Sequence, residues 1–260
     1  MSTVALDTHQ WPDDGAADAP LAVLVHGITG WWKTWWRVGP ALADRGWRVV
    51  AVDLRGHGTS PRFHGRATVS DLADDVSAVI ESSGAAANLL VGHSLGGAVS
   101  AEVAARHPDL VEHLVLEDPP AISRVGDGDW LARLDREIRA AVAEPEAEFA
   151  RQRAENPDWL DEDVRQDVEG RALTDREGVL AYIARPNGAR VPELAPHLPM
   201  PTLYLLAAED RSVYVGDARR RLVAELPRHA ILREFDCGHV LHRDRFDRYV
   251  TTILDWATSP

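Results

Sequence analysis

The chain of 260 residues is 45% hydrophobic and 27% charged, ordinary values for a soluble globular protein and enough chain for one large α/β domain, with or without an inserted subdomain. Its 41 acidic against 28 basic residues give a formal charge of −13, a field that disfavours nucleic acid, an anionic membrane surface or a strongly anionic substrate. One cysteine, Cys237, excludes an internal disulfide framework and a multi-cysteine zinc site; MSTVALDTHQWPDDG lacks the basic and apolar regions of a signal peptide and no long apolar run follows, so a cytoplasmic protein is expected.

In chain order, LAVLVHG (21–27), RVVAVDLRG (48–56), NLLVGHS (88–94), LVEHLVLED (110–118) and PTLYLLAAED (201–210) are short aliphatic runs that end in glycine or polar residues. Parallel strands buried on both faces have this texture. Helical patterns lie between them. Val69, Leu72, Val76, Val79 and Ile80 recur at helical spacing behind a Thr68–Asp71 capping pair, an alanine-rich stretch runs from Leu95 to His107 and stops at Pro108, and Phe246, Val250, Ile253 and Leu254 mark a closing helix. Such alternation predicts right-handed βαβ crossovers and a mostly parallel, doubly wound sheet with ligands at the carboxyl ends of its strands.

From Pro119 to Pro196 the alternation stops. Trp130, Leu131, Leu134 and Ile138, then Leu160, Val164 and Val168, then Val179, Leu180 and Ile183 behind a Thr174–Glu177 capping box, predict helices only. The chain therefore divides into a core of residues 1–118 and 197–260 and a helical insertion of residues 119–196. That insertion carries 17 acidic and 11 basic residues, the composition of a solvated outer face. An insertion at the carboxyl edge of a sheet is placed to act as a lid.

VGHSLGG (91–97) joins a strand to a helix, the junction at which a serine becomes an exposed nucleophile. Gly92 and Gly96 remove the side chains that would clash on so sharp a turn, and the amino end of the following helix lies beside Ser94 to favour developing negative charge. A serine hydroxyl needs a base, and the base an orienting carboxylate. His239, in DCGHVLHRD (236–244) between the last apolar run and the closing helix, is the candidate base, with His242 its competitor. His26, His57 and His93 lie in tight turns or glycine-rich loops and are expected to make local structural hydrogen bonds. Asp210, at the end of YLLAAED, is the candidate acid; Glu117 and Asp118, ending the preceding strand, are the alternative, chiefly Asp118. The backbone amides of Leu95 and Ile28 are the expected oxyanion donors. Trp31, Trp32, Trp130 and Trp159 are candidates to line the substrate pocket.

With these residues together, the chain resembles the α/β-hydrolase family. His26–Gly27 resembles its oxyanion loop, DLRGHGTS (53–60) the loop after the next strand, GHSLGG its nucleophile elbow and CGH its histidine loop, while the insertion resembles its helical cap. One departure is Ala207, where members commonly carry glycine three residues before the acid. The resemblance implies a Ser-His-Asp hydrolase. Epoxide and haloalkane members use an aspartate at the elbow, so Ser94 points to acyl transfer, and a small to medium apolar ester or lactone is the expected substrate. A carbon–carbon bond hydrolase of β-diketone-like compounds, a thioesterase or acyltransferase, and a ligand receptor without turnover are the alternatives on this scaffold. No metal or organic cofactor is implied.

Overall fold

The computed structural model describes residues 3–12, 18–120 and 127–258. Its sheet has seven strands in the order β1-β3-β2-β4-β5-β6-β7, comprising β1 (Thr8–Trp11), β2 (Leu21–Val25), β3 (Arg48–Val52), β4 (Leu89–His93), β5 (Leu114–Glu117), β6 (Thr202–Leu206) and β7 (Ala230–Glu234). Every neighbouring pair is parallel except β1 with β3. Strands β2, β4, β5 and β6 are buried at every residue, which is why they read as continuous aliphatic runs instead of alternating ones. The edge strand β1 has no such run; it is held by antiparallel pairing to β3, and sequence patterning gave no sign of it.

Helices cover both faces. On one side α2 (Val69–Ser82) and α3 (Leu95–Arg106) pack through Leu72, Val76, Ile80, Val99 and Val103 against Val23, Leu90 and Leu116 of the sheet. On the other, α1 (Val38–Ala43) and the closing helix, later in the chain, cover Leu24, Val91 and Leu205. Thr68 caps α2 as expected: its hydroxyl accepts from the Asp71 amide, while the Asp71 carboxylate accepts from the Thr68 amide at 2.8 Å.

Between β5 and β6 lie α4 (Gly128–Ala143), α5 (Pro145–Glu155), α6 (Asp161–Leu173), α7 (Arg176–Ile183) and the one-turn α8 (Val191–Leu194); residues 121–126 of this stretch lie outside the described residues. The first three share an apolar cluster around Trp159, Val164 and Val168, whereas Leu134 and Ile138 of α4 and Val179 and Tyr182 of α7 join the core cluster. The α8 turn packs on α3 of the core. One local detail differs from expectation: α7 is capped by Asp175, whose carboxylate accepts from the Gly178 amide, one residue beyond the predicted Thr174. Thr174 instead donates its hydroxyl to the Gly170 carbonyl at the end of the preceding helix. The chain finishes with α9 (Gly216–Ala224), α10 (Leu241–Asp244) and the closing helix α11 (Phe246–Ala257). No helix among the described residues is long and apolar enough to cross a membrane.

The strand order reverses between β2 and β4, so the loops after them diverge and open a crevice at their carboxyl ends. The loop after β3 is fixed beside it by a buried ion pair. Arg55 donates from Nε and Nη2 to the two carboxylate oxygens of Asp75 on α2, at 2.5 and 2.7 Å, and the Val4 amide completes the set at 2.8 Å. Both side chains are almost wholly buried, so removing one partner leaves an uncompensated charge. Asp75→Ala is expected to lower unfolding free energy by about 3 to 5 kcal/mol, read from urea denaturation; a loss below about 1 kcal/mol would contradict this role.

Candidate active site

Ser94 follows the last residue of β4 and is the N-cap of α3, with φ 52° and ψ −118°. Only a sharp strand-to-helix turn forces a non-glycine residue into this conformation. Its glycines are required by contact: a Cβ on Gly96 would stand 2.1 Å from the Val25 carbonyl oxygen, and one on Gly92 would stand 2.3 Å from the Gly96 carbonyl oxygen. Helix α3 therefore meets β2 and β4 backbone to backbone, and Ser94 is left partly exposed among buried neighbours. The Ser94 hydroxyl holds no hydrogen bond among the described residues.

Beside it runs the loop after β2. The Gly30 amide donates to the Gly27 carbonyl at 3.0 Å, and Thr29 adopts φ 60°. This tight turn leaves the Ile28 amide without an acceptor among the described residues, as is the Leu95 amide at the first turn of α3. Both expected oxyanion donors thus have free N–H groups on the loops that flank Ser94. His26 fastens the loop below: Nδ1–H donates to the Gly27 carbonyl at 2.7 Å, and Nε2 accepts from the Leu54 amide at 3.0 Å, which fixes its tautomer. His57 donates to the Arg55 carbonyl at 3.1 Å. The buried Asp53 carboxylate accepts from the Trp32 and Thr59 amides at 2.6 and 2.9 Å, tying the loops after β2 and β3 together. Local hydrogen bonding, as expected for His26 and His57, is what these rings do.

The imidazole of His239 donates from Nδ1 to Oδ2 of Asp118 at 2.6 Å, which leaves Nε2 as its free acceptor. Here the structure departs from the expected pairing of His239 with Asp210. Asp210 is 83% exposed and faces Arg211, whereas Asp118 is fully buried at the end of β5, in a turn with φ 39°. Asp118 accepts three further hydrogen bonds, from the Ala207 amide at 3.2 Å, the Ser212 hydroxyl at 2.5 Å and the Val213 amide at 3.0 Å. The physical reason is plain in this list: the 207–213 loop that was expected to supply the acid supplies the donors that hold it. Ala207, the departure from the usual glycine, contributes one of them.

His93 and His242 complete the surroundings. His93 donates from Nε2 to the His239 carbonyl at 3.2 Å, holding the histidine loop against the elbow, with the two rings 4.7 Å apart. His242 is not placed as a base: it is buried, and its Nδ1 and backbone amide both meet the Glu117 carboxylate at 2.9 and 3.0 Å. Burial alone would raise the Glu117 pKa, but the electrostatic pull of His242 and His93 and the two hydrogen bonds from His242 outweigh it and hold it down to about 2.

A cavity of about 210 Å³ opens between the histidine loop and the insertion. Gly238, His239, Val240 and Asp244 form one wall; Arg133 and Glu137 of α4, Arg151 and Glu155 of α5, Trp159 and Arg171 form the other. Of the four tryptophans expected at the pocket, Trp159 lines this cavity, its Nε1 donating to Asp244 at 2.6 Å. Trp130 packs at the edge of the core cluster, near the insertion's inner face. Trp31 and Trp32 are drawn into packing instead. Trp31 is buried with its Nε1 on the Gln166 carbonyl at 3.1 Å, and Trp32 stacks on His9 of β1 at 3.8 Å. The charged walls are the feature sequence reading missed, because the arginines of α4, α5 and α6 read there only as a solvated face; Asp118 stood there as the alternative to Asp210.

Residues 20–246 match the alpha/beta hydrolase fold family, and the chain belongs to it. Lipase LipV of Mycobacterium tuberculosis is 31% identical over 247 residues, covering 85% of this chain and 87% of that protein. Epoxide hydrolase B of the same organism is 41% identical, but the match covers 35% of this chain and spans only 26% of that protein. Among solved structures, the enol-lactonase from Burkholderia xenovorans superposes with a TM-score of 0.76 at 25% identity, over 98% of this chain and 96% of that one.

Burial holds His26 and His57 neutral, lowering their pKa values from 6.5 to about 4 and about 3. Because the folded values lie below the unfolded ones, the stability these rings support is complete above pH 6.5 and is lost as pH falls towards 4. Each contributes a slope of about 1.4 kcal/mol per pH unit across that window. Urea denaturation at pH 7.5, 6.5 and 5.5 is expected to show stability falling between the last two, with a shallower fall for His26→Gln. A profile flat to pH 5 would contradict the assignment.

Proposed function

We propose that this chain is a serine hydrolase that cleaves carboxylic esters or lactones through an acyl-enzyme, with Ser94 as nucleophile, His239 as general base and acid, and Asp118 as the orienting carboxylate. The observation that carries this reading is the 2.6 Å hydrogen bond from His239 Nδ1 to the buried Asp118, beside a serine on a positive-φ elbow. It supplies an imidazole held in one tautomer with Nε2 free to accept a proton.

In the first half-reaction Nε2 takes the Ser94 proton while Oγ bonds to the substrate carbonyl carbon, and the Ile28 and Leu95 amides receive the negative oxygen. The carbon–oxygen bond to the leaving group then breaks, and His239 returns the proton to the departing oxygen. Water repeats the sequence against the acyl-serine and releases the acid. Hydroxyl–imidazole hydrogen bonds in such sites tighten when substrate is bound, so a free Ser94 hydroxyl is compatible with this sequence. A serine at the elbow, instead of the aspartate that epoxide chemistry on this scaffold uses, favours acyl transfer, and so does the similarity to a lipase over most of both chains. Ile28, Leu95, Leu134 and Ile138 belong to one apolar cluster that runs from the core into the insertion; it favours an apolar acyl group. The insertion serves as the lid over that site.

Ser94→Ala is expected to abolish labelling by a fluorophosphonate probe and to reduce hydrolysis of a short p-nitrophenyl ester to a residual level; near-native turnover would refute the nucleophile. Asp118→Asn is expected to lower kcat by about 10⁴-fold, as loss of the orienting carboxylate does, while Asp210→Asn stays within about twofold of the unmodified enzyme. The reverse ranking would return the acid to Asp210.

A further inference from the structure

The cavity beside His239 is lined by charged groups whose hydrogen-bonding capacity is unevenly used. Its acids are already served. Glu137 receives Arg133 Nε at 2.7 Å, Arg151 at 3.7 Å and Arg171 Nη1. Glu155 receives Arg151 Nη1 at 2.7 Å, and Asp244 receives Trp159 Nε1 and the Gly238 amide, both at 2.6 Å. Arg151 is likewise engaged, with its other nitrogens on Glu148 at 2.6 and 2.8 Å. Two guanidinium groups are not. Arg133 uses Nε alone, leaving Nη1 and Nη2 without an acceptor among the described residues, and Arg171 leaves Nη2 so. Among the charged side chains of this cavity the unmet capacity is therefore donor capacity, and it is cationic; its free acceptors among the described residues, His239 Nε2 and the side-chain amide oxygens of Gln152 and Asn156, are neutral.

The side of the site on which these donors lie has chemical meaning. In acyl transfer the imidazole hands its proton to the leaving oxygen, so the leaving group lies against the histidine. The cavity has Gly238, His239 and Val240 in its wall and none of Ser94, Ile28 and Leu95, so it adjoins the proton donor and not the acyl-holding groups. Resting on the serine-hydrolase reading above, we infer that this cavity is the leaving-group subsite and takes an alcohol or phenol that carries a carboxylate, bound by Arg133 with Arg171 behind it. The step balances as before: the acyl carbon–oxygen bond breaks, His239 protonates the departing oxygen, and the carboxylate leaves unchanged. The chain's distant negative charges are screened beyond about 8 to 10 Å, and the cavity's own carboxylates, Glu137, Glu155 and Asp244, are each engaged by donors already, so a ligand carboxylate meets the free face of the Arg133 guanidinium.

The test uses the full chain and two esters with one acyl group, para-acetoxybenzoate and its methyl ester, with each kcat/KM divided by the ester's own rate of hydroxide hydrolysis. The unmodified enzyme is expected to prefer the free acid by about tenfold, the scale of one charge-assisted hydrogen bond. Arg133→Met is expected to lower kcat/KM for the acid about tenfold more than for the methyl ester, with Arg133→Lys recovering part of the difference. Arg133 is 63% exposed, so the substitution does not threaten folding. Equal use of the two esters by the unmodified enzyme, or an equal fall for both in Arg133→Met, overturns the subsite while leaving the hydrolase reading intact. Failure to cleave either ester together with failure of Ser94 to react with the fluorophosphonate overturns both.

Discussion

A carboxylate at zero exposure at the end of β5 organises the carboxyl edge of this sheet. Asp118 has no water to solvate it, and a buried carboxylate is tolerated only where hydrogen bonds replace that water. Its donors come from the end of β6, from the loop after it and from the loop after β7. Satisfying one group therefore draws the ends of three strands together and brings His239 to the crevice where the sheet order reverses.

The adjacent residue repeats the device. Glu117 and Asp118 follow one another at the end of a strand, where successive side chains leave in opposite directions. Each finds its own histidine, Asp118 the ring of His239 and Glu117 the ring and amide of His242. The short segment between those histidines is thereby fixed at both ends, and His93, next to the nucleophile, fixes it a third time through the His239 carbonyl. Strain at Ser94 and positive φ at Asp118 persist because these contacts over-determine the backbone around them. In the proposed mechanism Glu117 and His242 are positioning residues, reaching the chemistry only through the loop they hold.

What could be read from sequence follows the range of the interaction responsible. The buried strands, the Thr68 cap and the elbow are dictated by residues within a turn or two of one another, and all are found as expected. The positions of Ser94, His239 and the loops after β2 and β4 were legible because junctions between elements expose their own positions. The carboxylate that pairs with His239 was not, because Asp118 and His239 are 121 residues apart and the choice between Asp118 and Asp210 depends on which side chain the 207–213 loop encloses. Sequence shows both ending aliphatic runs; only packing shows that one is wrapped and the other left in water. The tryptophans fail for a related reason. An aromatic residue near a pocket and one that packs a neighbouring strand have the same local pattern, and β1, whose His9 takes Trp32, has too little hydrophobic pattern to be seen.

The insertion shows the same lesson in charge. Its net negative composition suggests a solvated face, yet Glu148 is buried and Glu137, Asp167 and Arg171 are largely so. Ion pairs this far from water carry a desolvation cost that surface pairs do not, and they are stable only as a network in which each carboxylate has more than one donor. Such a network adds little to stability over an apolar equivalent of the same shape. It does fix the directions of its guanidinium groups, and an apolar packing cannot do that. Helix α4 accordingly has two adjoining faces, about 100° apart: Leu134 and Ile138 seat the insertion on the core, while Arg133 and Glu137 turn to the cavity beside His239. An insertion seated by one face of a helix and charged on the adjoining one presents polarity to the cavity without needing polarity in its own attachment.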